Sequence, residues 1–147
     1  MGFRRKARAY ALQMLFQIDF THDIPKENIL PSFWSDKDAL PQIKAFAECL
    51  VHGVIQHQAR IDALIQKHTE HWSTGRMATI DRNILRFSVY ELCYLEEIPP
   101  KVTINEAIEI AKRYGNEDSG AFINGILDRI HQSLLQGDAL EEVIKKN

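Results

Sequence analysis

Residues 76–95, RMATIDRNILRFSVYELCYL, constrain the fold more than any other stretch, because as a helix they are too apolar to lie on a surface. At 100° per residue, Met77, Ile80, Ile84, Leu85, Phe87, Val89, Leu92 and Leu95 sweep an arc of roughly 200°, about twice the stripe by which an amphipathic helix buries one face. Such a helix belongs at the centre, with the rest of the chain wrapped around it. Asp81, Ser88 and Glu91 fall inside the apolar arc, while Thr79, Arg82, Asn83 and Arg86 gather opposite. Buried carboxylates need partners. Asp81 and Glu91 are therefore expected either to be tied to an Arg, a Lys or a backbone donor in the core, or to reach a partner surface.

The remaining chain supplies the wrapping. Over residues 6–18, Ala7, Ala11, Leu12, Leu15 and Phe16 make a helical stripe, with Arg8, Gln13 and Gln17 facing away. Residues 21–40, with Pro25 and Pro31, have room for one short helix around 26–33. From Pro41, suited to a first helical turn, Ile43, Phe46, Ala47, Leu50, Val51, Val54 and Ile55 recur at three and four. A second stripe of Ile61, Leu64, Ile65 and His68 continues toward Trp72, as a separate helix or as the second half of one kinked rod. After the central helix, Pro99-Pro100 reads as a stop and a turn. Thr103-Ile104-Asn105-Glu106 fits a capping box, opening a helix that runs to Tyr114 and closes at Gly115. Residues 116–119 cap a last helix with the stripe Phe122, Ile123, Ile126, Leu127 and Ile130, in which Gly125 is expected to mark a close helix contact. No strand-like alternation and no fixed repeat is present. The expectation is an all-α protein of about seven helices.

At 147 residues the chain suits one domain, or two small bundles sharing a core. An apolar fraction of 45% with 26% charged residues is ordinary for a globular protein. No apolar run approaches the roughly 18 residues of a membrane span, and the N-terminus lacks the apolar core of a signal peptide. Cys49 and Cys93 read as buried thiols in a reducing cytosol. His68 with His71, and Glu48 with His52, share helical spacing, but neither pair completes a metal site, and no Glu-x-x-His or His-Glu-x-x-His occurs. No nucleophile elbow and no phosphate-cradling Gly-rich loop is present. Neither an enzyme, a cofactor nor a metal is expected.

Binding is what remains. The net charge is −2, yet residues 1–18 carry Arg4, Arg5, Lys6 and Arg8 and no acid, leaving 14 basic and 20 acidic residues elsewhere. Cations at a helix start are disfavoured by a few tenths of a kcal/mol, so something other than helix stability selects them. A short Arg-rich helix end neutralises phosphates and stacks on splayed bases, a mode suited to single-stranded RNA. Neutralising about three phosphates gives a log–log salt slope near −2, a modest affinity that a partner protein would raise.

The residues also resemble a known family almost end to end. The similarity runs through Arg4-Arg5-x-Ala7-Arg8-x-x-Ala11-Leu12-Gln13-x-Leu15-Phe16, Ile80-Asp81-Arg82-x-Ile84-Leu85-Arg86 and Tyr90-Glu91-Leu92. It continues through Ile98-Pro99-x-Lys101-Val102-x-Ile104-Asn105-Glu106-Ala107-x-Glu109-x-Ala111-Lys112 and Phe122-x-Asn124-Gly125-x-Leu127-Asp128. These blocks are similar to the bacterial transcription factor family NusB. The resemblance implies two helical bundles packed side by side, here about 1–72 and 73–147. It implies a non-enzymatic, cytoplasmic factor that recognises boxA RNA of ribosomal RNA leaders jointly with NusE, a small-subunit ribosomal protein, joins the RNA polymerase antitermination complex and promotes ribosomal RNA maturation. By position, Arg4, Arg5 and Arg8, with Lys6 as an added charge, resemble the RNA-contacting arm. Asp118, Ser119 and Phe122 resemble a second RNA-facing patch, although Phe122 also fits the core stripe. Asp81, Arg82 and Arg86 are the candidates for the NusE surface. Ala9 departs from the Glu of many members and leaves the arm more basic. A NusB-like module also precedes some RNA cytosine methyltransferases; no catalytic domain follows here, so the free-standing factor is expected. The alternative from another class is a protein-only interaction module, such as a homodimer that buries the arm. On this reading, removing Arg8 should weaken RNA binding and leave stability nearly unchanged.

Overall fold

The computed structural model describes residues 2–21, 26–69 and 77–137, which are helical with short connections and contain no strand. The helices are α1 (Phe3–Phe20), α2 (Lys26–Trp34), α3 (Pro41–Lys67), α4 (Thr79–Tyr94), α5 (Pro100–Tyr114) and α6 (Ser119–Leu135). The expected third and fourth helices form one rod, α3, whose helical dihedrals break at His57 (φ −114°, ψ 16°). Arg76 and Trp72 lie outside the described residues.

α4 is the central element. α1 packs on α3 and α5 on α6, and α4 packs against all four. Residues 83–89 are buried without interruption, so the helix has no dry and wet side in its middle. Around it the expected stripes are buried: Ala7, Ala11, Leu12 and Leu15 on α1, Ile43, Ala47, Leu50, Val51 and Val54 on α3, and Ile123, Ile126, Leu127 and Ile130 on α6. Phe16 is the exception on α1, with 38% of its surface exposed.

Burying α4 all round forces its polar side chains to find partners, because an unpaired buried charge is costly. Two networks meet this demand. Arg86 donates from Nε and Nη2 to the two carboxylate oxygens of Asp62, each at 2.9 Å. Its Nη1 reaches Asn83 Oδ1 at 3.3 Å, Asn83 Nδ2 donates to Asp19 at 2.9 Å, and Arg82 donates to the same carboxylate at 3.2 Å. This network joins α1, α3 and α4. In the second, Arg8 donates from Nε and Nη2 to the two oxygens of Glu91, both at 2.8 Å, and Thr103 donates its hydroxyl to Glu91 Oε1 at 2.9 Å. The Arg8 side chain is 2% exposed and that of Glu91 fully buried. α1, α4 and α5 are thus tied by one carboxylate. Glu91 has the structural role anticipated for it, whereas Asp81 Oδ1 is buried and accepts no hydrogen bond among the described residues.

The packing around α4 corrects three local readings. Arg8 belongs to the core and not to an exposed arm, because a buried Glu91 requires a cation. Thr103 and Glu106 do not cap a helix: α5 begins at Pro100, Thr103 binds Glu91, and Glu106 binds Arg5. Pro100 needs no N–H in a first turn, so the Pro-Pro pair starts the helix instead of only ending the previous one. Gly125 is not the close contact either. A Cβ there would meet only Arg129 Nη1 at 3.5 Å, whereas one on Gly53 of α3 would fall 2.1 Å from the Tyr90 ring on α4.

Two aromatic groups complete the packing. Tyr10 meets Phe33 and Trp34 edge to face at 6.0 and 5.2 Å, and Trp34 Nε1 donates to Glu48 Oε2 at 2.9 Å, which anchors α2 despite its internal Pro31. His57 stacks on Tyr94 at 4.2 Å, and Tyr94 on Tyr90 at 5.2 Å, beside the break in α3. Cys49 is exposed and Cys93 half-buried, unlike the buried thiols expected.

Three outcomes follow from this packing. Arg8→Ala strands Glu91 and should cost about 3–5 kcal/mol of stability, seen as a large drop in Tm, whereas Lys6→Ala should leave the melting curve unchanged. Gly53→Ala should destabilise by about 1–3 kcal/mol through overpacking, and Tyr90→Leu in the same chain should recover part of that loss. Burial, aided by Arg60, holds the His57 imidazole below its ordinary value of 6.5. At pH 7 it is neutral folded and unfolded; as pH falls below 6.5 the unfolded chain takes up the proton first, so stability declines until the folded pKa is passed. Tm measured from pH 7.5 to 5.5 should therefore fall less steeply in His57→Gln than in the parent.

Candidate nucleic-acid interface

α1 starts at Phe3, directly after the extended Gly2, so the basic residues sit in its first turns. Helical spacing then divides them. Arg4 and Lys6 are exposed, Arg5 is half-buried and Arg8 is inside. The Arg4 guanidinium lies 4.8 Å from the centre of the Phe46 ring on α3, with Phe3 exposed alongside. Arg5 donates from Nε to both Glu106 oxygens at 3.2 and 3.1 Å and also from Nη2, yet its side chain remains 39% exposed. Glu106 Oε1 is also 3.6 Å from Arg8 Nη1, so this carboxylate stands between the surface cation and the buried one. The hydrogen bonds that Arg5 donates to Glu106, and then the charge of that carboxylate, raise the Arg5 pKa above its ordinary value.

Beside Arg5, α1 and α5 enclose an open groove of about 250 Å³ lined by Arg5, Ala9, Glu109, Ile110, Lys112, Arg113 and Tyr114. Lys112 and Arg113 occupy the last turn of α5, where cations complement the helix dipole. The Arg113 guanidinium is 5.7 Å from the Tyr114 ring centre, and Tyr114 keeps 38% of its surface exposed. Lys112 also borders a second groove, of about 370 Å³, with Gly115, Asn116, Gly120 and Asn124. These three α5 residues escaped the sequence reading because a basic helix end followed by Gly reads as ordinary termination; only their proximity to Arg5 gives them another meaning.

The turn from α5 to α6 is held by Ser119, which is buried. Its Oγ accepts the Asn116 N–H at 3.0 Å and donates to Asn116 Oδ1 at 3.3 Å, while that oxygen accepts the Asp118 N–H at 2.8 Å. A Cβ on Gly115 would lie 2.4 Å from Ser119 Oγ, so closeness and not a left-handed φ selects glycine here. Asp118 is exposed at the tip of this turn, and Phe122 is half-buried against the core. Ser119 therefore positions the turn from within, and Asp118 presents a side chain to solvent. Of the second patch anticipated from the sequence, Asp118 and part of Phe122 are at the surface.

The three candidates on α4 lie at its first turns. Asp81 and Arg86 are buried, with 7% of the surface of each exposed, and Arg82 is half-buried. Arg86 belongs to the interior network with Asp62 and is not a surface charge. Next to them, on the last turns of α1, Phe16 and Phe20 lie 4.8 Å apart with their rings tilted by 40° and are 38% and 64% exposed, flanking the Asp19 that holds Arg82. The apolar periodicity that assigned Phe16 to the core could not show that this position is partly exposed.

Among the described residues no helix is long and apolar enough to cross a membrane, and no cluster of His, Cys, Asp and Glu could hold a metal ion. The NusB family model matches residues 5–132. The chain is 48% identical over 136 residues to a protein of Desulfitobacterium hafniense described as transcription antitermination protein NusB, covering 92% of each. Its similarity to the protein of that description from Myxococcus xanthus is 45% over 138 residues, covering 91% of this chain and 98% of that one. Among solved structures, T. maritima NusB superposes with a TM-score of 0.81 at 44% identity, covering 88% of this chain and 90% of that one. A chain from a structure of antitermination factors NusB and NusE in complex with double-stranded RNA superposes with the same TM-score at 28% identity, covering 90% and 98%. With the profile spanning most of its length and relatives near half identical, the chain belongs to the NusB family.

Proposed function

We propose that this chain is a cytoplasmic, non-enzymatic RNA-binding factor of transcription antitermination. It recognises the boxA element of ribosomal RNA leaders together with NusE, acts within the elongating RNA polymerase complex and promotes ribosomal RNA maturation. The observation that carries the RNA reading is the concentration of exposed or half-exposed cations in the first turns of α1 (Arg4, Arg5 and Lys6), with Lys112 and Arg113 of α5 beside Arg5, in a chain whose net charge is −2. Arg4, Arg5 and Lys6 contact phosphates, with Asp118 and Phe122 at the start of α6. Arg8 and Ser119 act from beneath, the first by fixing α1 and the second by fixing the turn.

The NusE face is placed at the junction of α1 and α4. Exposed Phe16 and Phe20 supply apolar contact there, the buried Asp81 Oδ1, which accepts no hydrogen bond among the described residues, offers an acceptor to a partner donor, and Arg82 stands at the rim. Arg86 supports this corner from inside.

Titration of boxA RNA with and without NusE tests both parts. Arg4→Ala with Lys6→Ala should weaken RNA binding and flatten the log–log salt slope by about 1 from a starting value near −2, with Tm unchanged. Wild-type affinity and slope in that variant would overturn the arm. Phe20→Asp should reduce NusE affinity at least tenfold, about 1.4 kcal/mol, without altering RNA binding by the free protein; unchanged NusE affinity would remove this face from the proposal.

A further inference from the structure

We propose that the groove between α1 and α5 is a nucleobase subsite, with Tyr114 as the stacking platform and Arg5, Lys112 and Arg113 placed for the flanking phosphates. The inference rests on the RNA reading above and adds a site to it. The groove has the three components that single-strand recognition combines: an aromatic ring, a low apolar floor and cations at the edge. Ala9 and the buried Ile110 make the floor, Tyr114 stands at one end, and the three cations line the rim. Among the described residues Glu109 is the only acid lining it, and its carboxylate lies 3.6 Å from Lys112 Nζ, so the described rim has a positive balance.

The Tyr114 ring ends α5 with 38% of its surface in water, and Arg113 rests 5.7 Å from its centre, a cation–π contact that is weak at an exposed site. A base stacked on this ring would lie beside the Arg113 guanidinium, where both contacts reinforce each other. Continuity sets the direction of the strand. Arg5 leads back to Arg4 and Lys6 on α1, and Lys112 leads forward into the groove of Asn116, Gly120 and Asn124 that ends at the Asp118 turn. The subsite thus fills the interval between the arm and the turn.

The test uses the full chain, a fluorescently labelled boxA RNA, and a set of the same RNAs in which one base at a time is replaced by an abasic unit. Tyr114→Ala should lower affinity for the complete RNA by about 5- to 150-fold, the range for losing one stacked base, while Tyr114→Phe binds as the parent does. One abasic register should weaken the parent to the level of Tyr114→Ala and leave that variant no weaker. In the unmutated protein, 4-thiouridine at that register should crosslink to the peptide containing Tyr114. Wild-type affinity in Tyr114→Ala, an affinity loss equal across all abasic RNAs, or crosslinks confined to other peptides would overturn the subsite. If Arg4→Ala with Lys6→Ala weakens binding and Tyr114→Ala does not, the subsite alone fails. If neither has an effect, the RNA reading fails and takes the subsite with it.

Discussion

The pairing of Arg8 with Glu91 is the contact on which the arrangement of helices depends. α4 is buried along seven consecutive residues, and a carboxylate at its C-terminal half cannot remain charged there without a cation. Arg8 supplies it with two parallel hydrogen bonds, a geometry that fixes direction as well as distance. Thr103 occupies one of the remaining acceptor positions and brings the first turn of α5 to the same point. One buried charge thereby sets the start of α1 against the end of α4 and the beginning of α5. At the opposite end of α4, Asp19 and Asp62 do the same for the end of α1 and for α3 through Arg86. Replacing either network by apolar residues could match its stability, but would leave α1 free to slide along α4.

Much of this was legible in the sequence, and the part that was not has a common cause. The all-helical class, the central place of residues 76–95 and the buried stripes of α1, α3 and α6 follow from periodicity, which is a local property. The kinked rod was one of two readings, and the structure selects it at His57. What failed were motifs whose residues are needed by something distant in sequence. Thr103 and Glu106 match a capping box, but their partners are Glu91 and Arg5, and long-range burial outweighs a cap worth about 1 kcal/mol. Gly125 and Gly53 look equivalent on a helical wheel; only the Tyr90 ring distinguishes them. Arg8 looked like the fourth member of a basic arm because charge counts do not record which side of a helix meets a buried acid.

The division of the N-terminal cations explains how a mildly acidic chain presents a basic edge. Helical geometry turns Arg8 inward, holds Arg5 against Glu106 and leaves Arg4 and Lys6 in solvent. α5, fixed by Thr103, then brings Lys112, Arg113 and Tyr114 alongside. None of these three was identified from the sequence, since residues more than 100 positions from Arg5 carry no local sign of being its neighbours. Ser119 is a similar case: its type and place were noticed, but its task is to lock Asn116 and leave Asp118 outward.

Glu106 gives the surface a line of communication with the interior. Its carboxylate, 18% exposed, is shared between Arg5 outside and Arg8 inside. An anion that draws Arg5 away leaves Glu106 to Arg8 alone, and the buried cation then has two acids to itself. The counter-ion of the surface arginine is in this sense a shared valence, a single negative charge divided between a cation in solvent and one in the core.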